Sequence, residues 1–388
     1  MIRIGVLGGA AAEVDEAGGV HLADGTVVRW LVGAADRWHD PADEPTRRTQ
    51  RLLDMPVVET AVRVPGGDAR HRAYAVADHG GLLVVEVENA SSEPFAVAFV
   101  AAPAGVPMVA ARPPSTVAVE GVTLPPGASV WPVAHRTVQR VVLPLDGGSS
   151  GSGRAWAWPG SVPGAEQVAR GWLAQSERVL RAELGDDVRQ RRLRAARADV
   201  LLAGDDPAAR LVAGARDADA VARDVWELTA PLRGRRPPAP AADVPWALAC
   251  AAATLRDLGE ARAAGDVEQL LDRLARTGPP APPGDRPTEV VAGLRAELLD
   301  DRGPGVAFLP GPGLVRPGQS VEAHDVPTRH GRVGVALRWH GARPALLWEC
   351  ERPVRLTAPG LDARWHDERP RGEALLAPVV LDAGPSFS

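Results

Sequence analysis

At 388 residues the chain exceeds what one hydrophobic core usually organises, so more than one domain is expected. A net charge of −5 leaves no electrostatic footprint for nucleic acid or an anionic membrane, and 45% hydrophobic with 24% charged residues is ordinary for a globular protein. All 44 basic residues are Arg, while Asn89 and Tyr74 are the only residues of their kinds; this pattern follows from a GC-rich gene, so neither the Arg content nor the 11 Trp is read as a binding signal.

With Ile confined to positions 2 and 4, Val-rich runs mark strands and Ala/Leu/Arg-rich runs mark helices. The opening "GVLGGAAAE" would cradle a dinucleotide only if a helix followed the glycines. About eight residues separate Gly9 from Gly18-Gly19, too few for that helix, so a β-turn is predicted and no cofactor is expected. "GGVHLADGTVVRWLVG" reads as a hairpin about Asp24-Gly25. Three strands follow in "VVETAVRVPGGDARHRAYAVADHGGLLVVEVEN", broken at residues 65–68 and 78–81. "PFAVAFVAA", "STVAVEG", "ASVWPVA" and "TVQRVVLPL" continue at short spacing. About ten strands with no helix between them predict an antiparallel β-sandwich over residues 1–145.

"DGGSSGSG" places a flexible linker at 146–154, after which the period becomes helical over 155–302. One helix is expected within "GAEQVARGWLAQSERVLRAELG", and a second after Asp186 or Asp187 as N-cap, stopping at Gly204. Further helices are expected at about 207–232, 245–258, 266–276 and 288–299, six or seven in all, with proline-rich breaks between pairs. Strands return over 303–388 in "VGVALRWHG", "PALLWECE", "VRLTAPG" and "EALLAPVV". The fold class is therefore α+β, with an N-terminal sandwich, a helical middle and C-terminal strands that pack back.

No run reaches the ~18 apolar residues of a membrane span, and the N-terminus does not resemble a signal peptide, so a cytoplasmic location is expected. Cys250 and Cys350 fit no metal or redox spacing. His324, Asp325 and His330 lack a third ligand at usable spacing and are assigned to a solvated loop turned by Pro327, so no metal is expected. The helical carboxylates, Asp224, Glu227 and Asp243 among them, read as charged helix faces.

One tripeptide recurs far more often than composition predicts. Arg37-Trp38-His39-Asp40 returns as Arg364-Trp365-His366-Asp367, and Arg338-Trp339-His340 repeats its first three letters. Strand alternation assigns Trp339 to a core face and brings Trp348 across a "GARP" turn to it. Arg37, Trp38, His39 and Asp40, with Trp365, His366 and Asp367, fall in polar loop sequence and form the candidate ligand site, since a Trp face ringed by donors and acceptors suits a sugar.

The run from "GAADRWHDPADEPTRRTQRLLDMPVVETAVRVPGGDARHRAYAV" to "VEVENASSEPFAVAF", with "VALRWHGARPALLWECERPVRLTAPGLDARW", resembles bacterial six-hairpin (α/α-toroid) glycosidase-like and glycogen-debranching-type proteins over about 150 residues. The resemblance implies a carbohydrate context and a helical middle built of hairpins. A complete toroid needs twelve helices, and at ~11–12 residues each plus loops about 150 residues cannot supply them. No acidic motif matches the family's acid and base, so no catalytic residue is carried over. The expectation is a glycosidase-like protein without a complete catalytic site, with an oligosaccharide and a second copy of the chain as candidate partners. An active glycoside hydrolase using two carboxylates and a non-catalytic scaffold are the alternatives.

Overall fold

Strict alternation of Val with polar residues drives the first of two compact units, residues 1–175. The computed structural model describes residues 1–378 apart from 104–105, 107, 116–123, 147–157, 215–216 and 234–237. The expected strand "STVAVEG" and almost all of the 146–154 linker lie outside the described residues. Thirteen strands are formed: β1 (Ile2–Gly5), β2 (Ala11–Val14), β3 (Val20–Leu22), β4 (Val27–Gly33), β5 (Trp38–His39), β6 (Arg48–Arg51), β7 (Val57–Val64), β8 (Gly67–Val76), β9 (Leu82–Asn89), β10 (Phe95–Ala102), β11 (Val109–Ala110), β12 (Ala128–Val133) and β13 (Val138–Pro144). Helix α1 (Ala165–Ser176) ends at the unit boundary.

Two antiparallel sheets result, ordered β1-β2-β3-β4-β10-β12, with β5 paired to β4, and β11-β13-β9-β8-β7-β6. Val28, Trp30 and Val32 of β4 and Val97 and Phe99 of β10 meet Val58 and Val62 of β7 and Val85 and Val87 of β9 in one core, which is the packing of a β-sandwich. The glycine-rich opening makes the β1–β2 hairpin rather than a helix, as its spacing predicts.

The outer face of the second sheet carries a row of alternating charge. Glu59, Arg72, Glu86 and Arg140 stand opposite one another on β7, β8, β9 and β13 in turn. Arg72 binds Glu59 at 2.8 Å, and Arg140 binds Glu86 at 2.6 Å. Opposite charges directly across an antiparallel ladder are mutually stabilising. Tyr74, fully buried, donates to Glu86 at 3.0 Å and to the Pro163 carbonyl at 2.8 Å, while Arg140 donates to the Val162 carbonyl at 3.0 Å. These bonds hold the segment before α1 against the sheet.

The second unit, residues 176–388, contains β14 (Arg181–Glu183), then α2 (Asp187–Leu202), α3 (Pro207–Ala213), α4 (Ala218–Thr229), α5 (Val244–Asp257), α6 (Ala261–Thr277) and α7 (Pro287–Leu298). Strands β15 (Leu299–Asp300), β16 (Val306–Phe308), β17 (Val321–Thr328), β18 (Gly331–His340), β19 (Arg343–Cys350), β20 (Leu356–Ala358), β21 (Asp362–Asp367) and β22 (Arg371–Leu375) follow. They form a five-stranded sheet, β14-β17-β18-β19-β22, and a four-stranded sheet, β15-β16-β20-β21. Helix α5 is apolar nearly all round, as a helix at the centre of a unit must be, and packs against α3, α6 and the five-stranded sheet. The C-terminal strands thus pack back on the helices, and the α+β class holds.

Several boundaries differ from the sequence reading. The first expected helix stops at Ser176, and Arg181–Glu183 becomes a strand paired with β17. Residues 207–232 split at Gly214, which takes the left-handed φ of 84° that residues with a Cβ avoid. Asp186 is the N-cap of α2, accepting from the Arg189 amide, but Ala203 rather than Gly204 ends that helix. "HDVPTRH" is not a loop: it is mostly strand β17, whose register breaks between Ala323 and Val326 in a β-bulge that holds Asp325 at φ 54°. "DARWHD" is likewise strand β21.

Candidate functional site

The first Arg-Trp-His-Asp copy is knitted into the fold of the first unit. Two residues of it make β5, with Trp38 opposite Gly33 and His39 opposite Val32. His39 is buried, and its two ring nitrogens meet Glu44 at 2.9 Å and Asp36 at 3.1 Å. The hydrogen bond from His39 holds the Asp36 carboxyl below its usual range. Arg37 pairs with the same Glu44 at 2.7 Å, and Asp40 accepts from Arg29 at 2.7 Å and from the Ala42 amide at 2.9 Å. His39 therefore keeps no free ring atom for a ligand.

The second copy, in the second unit, is similarly engaged. Trp365 is half-buried and meets Trp348 edge-on at 5.3 Å. Asp367 is held by Arg369 at 2.7 Å, which lowers its pKa, and His366 is exposed with a weak contact to the Arg364 carbonyl at 3.4 Å. Trp348 pairs with Val335 and Trp339 with Pro344, so Trp348 does not come beside Trp339 as the hairpin reading expects. The hairpin turn is two residues, Gly341-Ala342, because Arg343 already pairs with His340.

Glycine explains where several indoles lie. A Cβ at Gly33 would come within 2.8 Å of the Trp38 ring, and one at Gly372 within 2.5 Å of the Trp348 ring. Each glycine is the cross-strand partner of its Trp, so the indole lies flat across bare backbone.

Carboxylates are abundant in the second unit, but arginines occupy them. Arg286 reaches Asp243 at 3.0 Å, Glu289 at 3.2 Å and Asp206 at 3.4 Å where α3, α5 and α7 begin. Asp243 is fully buried; burial raises its pKa, while Thr288, at 2.5 Å, and Arg286 oppose that rise. Asp224 and Glu227 share Arg210, each at 2.8 Å. Asp300 is held by Arg302 and Asp301 by Arg295. Among the described residues no group of three or more His, Cys, Asp or Glu is placed to hold a metal ion, and no helix is long and apolar enough to cross a membrane. Both cysteines are free thiols and buried.

Two concavities carry a Trp away from such packing. In the second unit, α4 and α6 border a trough of about 890 Å³ whose wall includes Trp226, 68% exposed, under the Arg233 guanidinium at 3.2 Å. Its floor is aliphatic, with Val225, Leu270 and Leu274, while Thr229, Asp266, Arg273 and Thr277 join Arg233 as its polar groups. In the first unit, a cavity of about 610 Å³ is bounded by Arg112, Thr137, Val138, Gln139, Arg140 and Trp158. Strands β12 and β13 and the turn between them supply one wall, and the segment tethered by Tyr74 and Arg140 presents Trp158. Here an indole face, an amide, a hydroxyl and two guanidinium groups converge, which is the mixture that orients a polar ring with an apolar face. The sequence reading missed this site. "AWAWPG" has no strand or helix period, and Arg112 and Gln139 join Trp158 only through the fold.

No protein-family model matches the chain, and no curated protein matches it.

Proposed function

We propose that the chain is a non-catalytic, saccharide-binding protein of glycosidase-like type, and that the cavity beside Trp158 is its binding surface. One observation carries the reading: this cavity combines an indole with Gln139, Thr137, Arg112 and Arg140, and no carboxylate lines it among the described residues. Glycoside hydrolysis needs two carboxyl groups facing one cleft, one protonated and the other free to attack or to activate water. Asp224, Asp243, Asp300 and Asp301 are instead each drawn into an arginine pair. The seven α-helices among the described residues, of which α1 falls almost wholly in the first unit, are also too few for a ring of twelve.

Calorimetric titration of the full chain with maltooligosaccharides tests this. Binding without release of reducing ends is expected, and Trp158→Ala should weaken it about ten-fold, the scale of one aromatic stacking contact. No binding by the parent chain, or unchanged affinity in the variant, overturns the reading.

A further inference from the structure

We infer that this cavity selects a saccharide bearing an anionic group, a carboxylate or a phosphate on the sugar; the inference rests on the saccharide reading above. Among the described residues the charged groups of its wall are Arg112 and Arg140, with no acidic residue beside them. Their charges are not equivalent. Arg140 is neutralised, with Nε at 2.8 Å and Nη2 at 2.6 Å from Glu86 and Nη1 on the Val162 carbonyl. Arg112, by contrast, makes no ion pair or side-chain hydrogen bond with the described residues, and its side chain is exposed.

Its backbone is nevertheless fixed. The Arg112 carbonyl accepts from Trp131 Nε1 at 3.0 Å, and Trp131 is a core residue of the sandwich at 3% exposure. A cation held at the wall of a concavity and lacking its own counter-ion is a recognition group for an anion, because a guanidinium presents paired donors that match carboxylate and phosphate oxygens. Arg140, pinned by Glu86, is left to shape the wall rather than to supply charge. The neutral groups divide the remaining work: Trp158 offers a face for the ring, and Thr137 and Gln139 stand at its rim for hydroxyl groups. The Thr137 hydroxyl donates to the Ala134 carbonyl at 2.7 Å, and the Gln139 amide nitrogen to the Arg140 carbonyl at 3.1 Å, which leaves the oxygens of both side chains to accept.

Calorimetry on the full chain with glucose, glucuronate, glucose 6-phosphate and inorganic phosphate tests the inference, alongside Arg112→Gln and Trp158→Ala. At least one charged sugar should bind about ten-fold or more tightly than glucose, the scale of one charge-assisted contact. Arg112→Gln should erase that preference while leaving the weaker affinity for glucose, and its unfolding midpoint should match the parent's because the anchoring group is main-chain. Trp158→Ala should weaken charged and neutral sugars alike. Whichever charged sugar prevails identifies the anionic group. Equal binding of charged and neutral sugars overturns this inference but leaves the saccharide reading standing, whereas no binding of any sugar overturns both. Inorganic phosphate bound as tightly as glucose 6-phosphate, or a preference that survives Arg112→Gln, also overturns it.

Discussion

His71 makes acid an unfolding agent for the first unit. It stands on β8 between Thr60 and Val87 and stacks on Trp30 of the facing sheet, with ring centroids 4.8 Å apart and planes within 15°. Only 1% of it is exposed, and its Nδ1 has no hydrogen-bond partner among the described residues. Gly18, at φ 81°, closes the site: a Cβ there would come within 3.0 Å of His71 Nδ1 and 2.9 Å of Thr60 Oγ1. Burial in this slot lowers the imidazole pKa to about 3, the nearby Asp15 charge opposing it only in part. The folded unit therefore binds no proton at His71 until well below the unfolded value of about 6.5, so stability is full above that value and falls as the pH drops towards about 3.

Between about pH 7.5 and about pH 4.5 this linkage removes about 2.7 kcal/mol, two decades of proton affinity at 1.36 kcal/mol each. His71→Phe keeps the stack on Trp30 and removes the titrating group. Urea unfolding of parent and variant at the two pH values isolates the contribution, since the paired carboxylates affect both chains alike. The parent should lose about 2–3 kcal/mol more than the variant over that range. Equal losses, to within about 0.5 kcal/mol, would refute the claim that His71 is held neutral by burial.

Thiol chemistry and glycine packing give two further checks. Burial pushes the Cys250 thiol up to about 12 and the Cys350 thiol up to about 11, so a disulfide reagent at about pH 8 should label neither before unfolding and both afterwards; rapid labelling of the native chain would contradict their burial. Gly372→Ala puts a Cβ 2.5 Å from the ring of Trp348, which is 3% exposed and backed by Trp365, and should destabilise by about 1–3 kcal/mol. Gly33→Ala should cost less, because Trp38 is only half-buried and its ring can swing outward; urea midpoints in the reverse order would show that burial does not govern the cost.

The legible parts of the fold were those whose period is carried by many residues. β7, β8 and β9 are long, rich in Val, Ala and Leu, and turn at Pro65-Gly66 and at residues 78–81, and each lies within two residues of the expected limits. The strands that escaped notice leave no period to find: β5 and β11 have two residues each and β16 three. β21 is an edge strand with an alternating exposed face, so "DARWHD" carries polar residues where a buried strand would show Val. β17 contains Pro327 opposite Arg332 and a bulge at Asp325, two features that read as a turn when neighbours in the sheet are unknown. The α3–α4 break depended on Gly214, whose left-handed backbone is a property of the folded chain.

The recurrence of Arg-Trp-His has the same explanation. Its three copies occupy β5, β18 and β21, and in each the Trp is half-buried while the Arg points to solvent. The surroundings otherwise differ: Trp38 covers Gly33, Trp339 donates to the Gln319 carbonyl at 2.9 Å, and Trp365 leans on Trp348. β21 is an edge strand and β18 the middle strand of its sheet, yet each copy sets a broad residue half inward and a charged one outward, and a chain nearly stripped of Ile, Tyr and Lys meets that need with Trp and Arg. The same reasoning separates packing from recognition. Trp30, Trp131, Trp339 and Trp348 each spend the indole N–H on a backbone carbonyl, which fixes the ring and satisfies its one polar atom. Trp158 makes no such bond with the described residues and lines a cavity. A large ring placed beside polar groups without internal use for its donor is poised for a ligand, and that distinction, rather than the repeated tripeptide, directs attention to β12, β13 and Arg112.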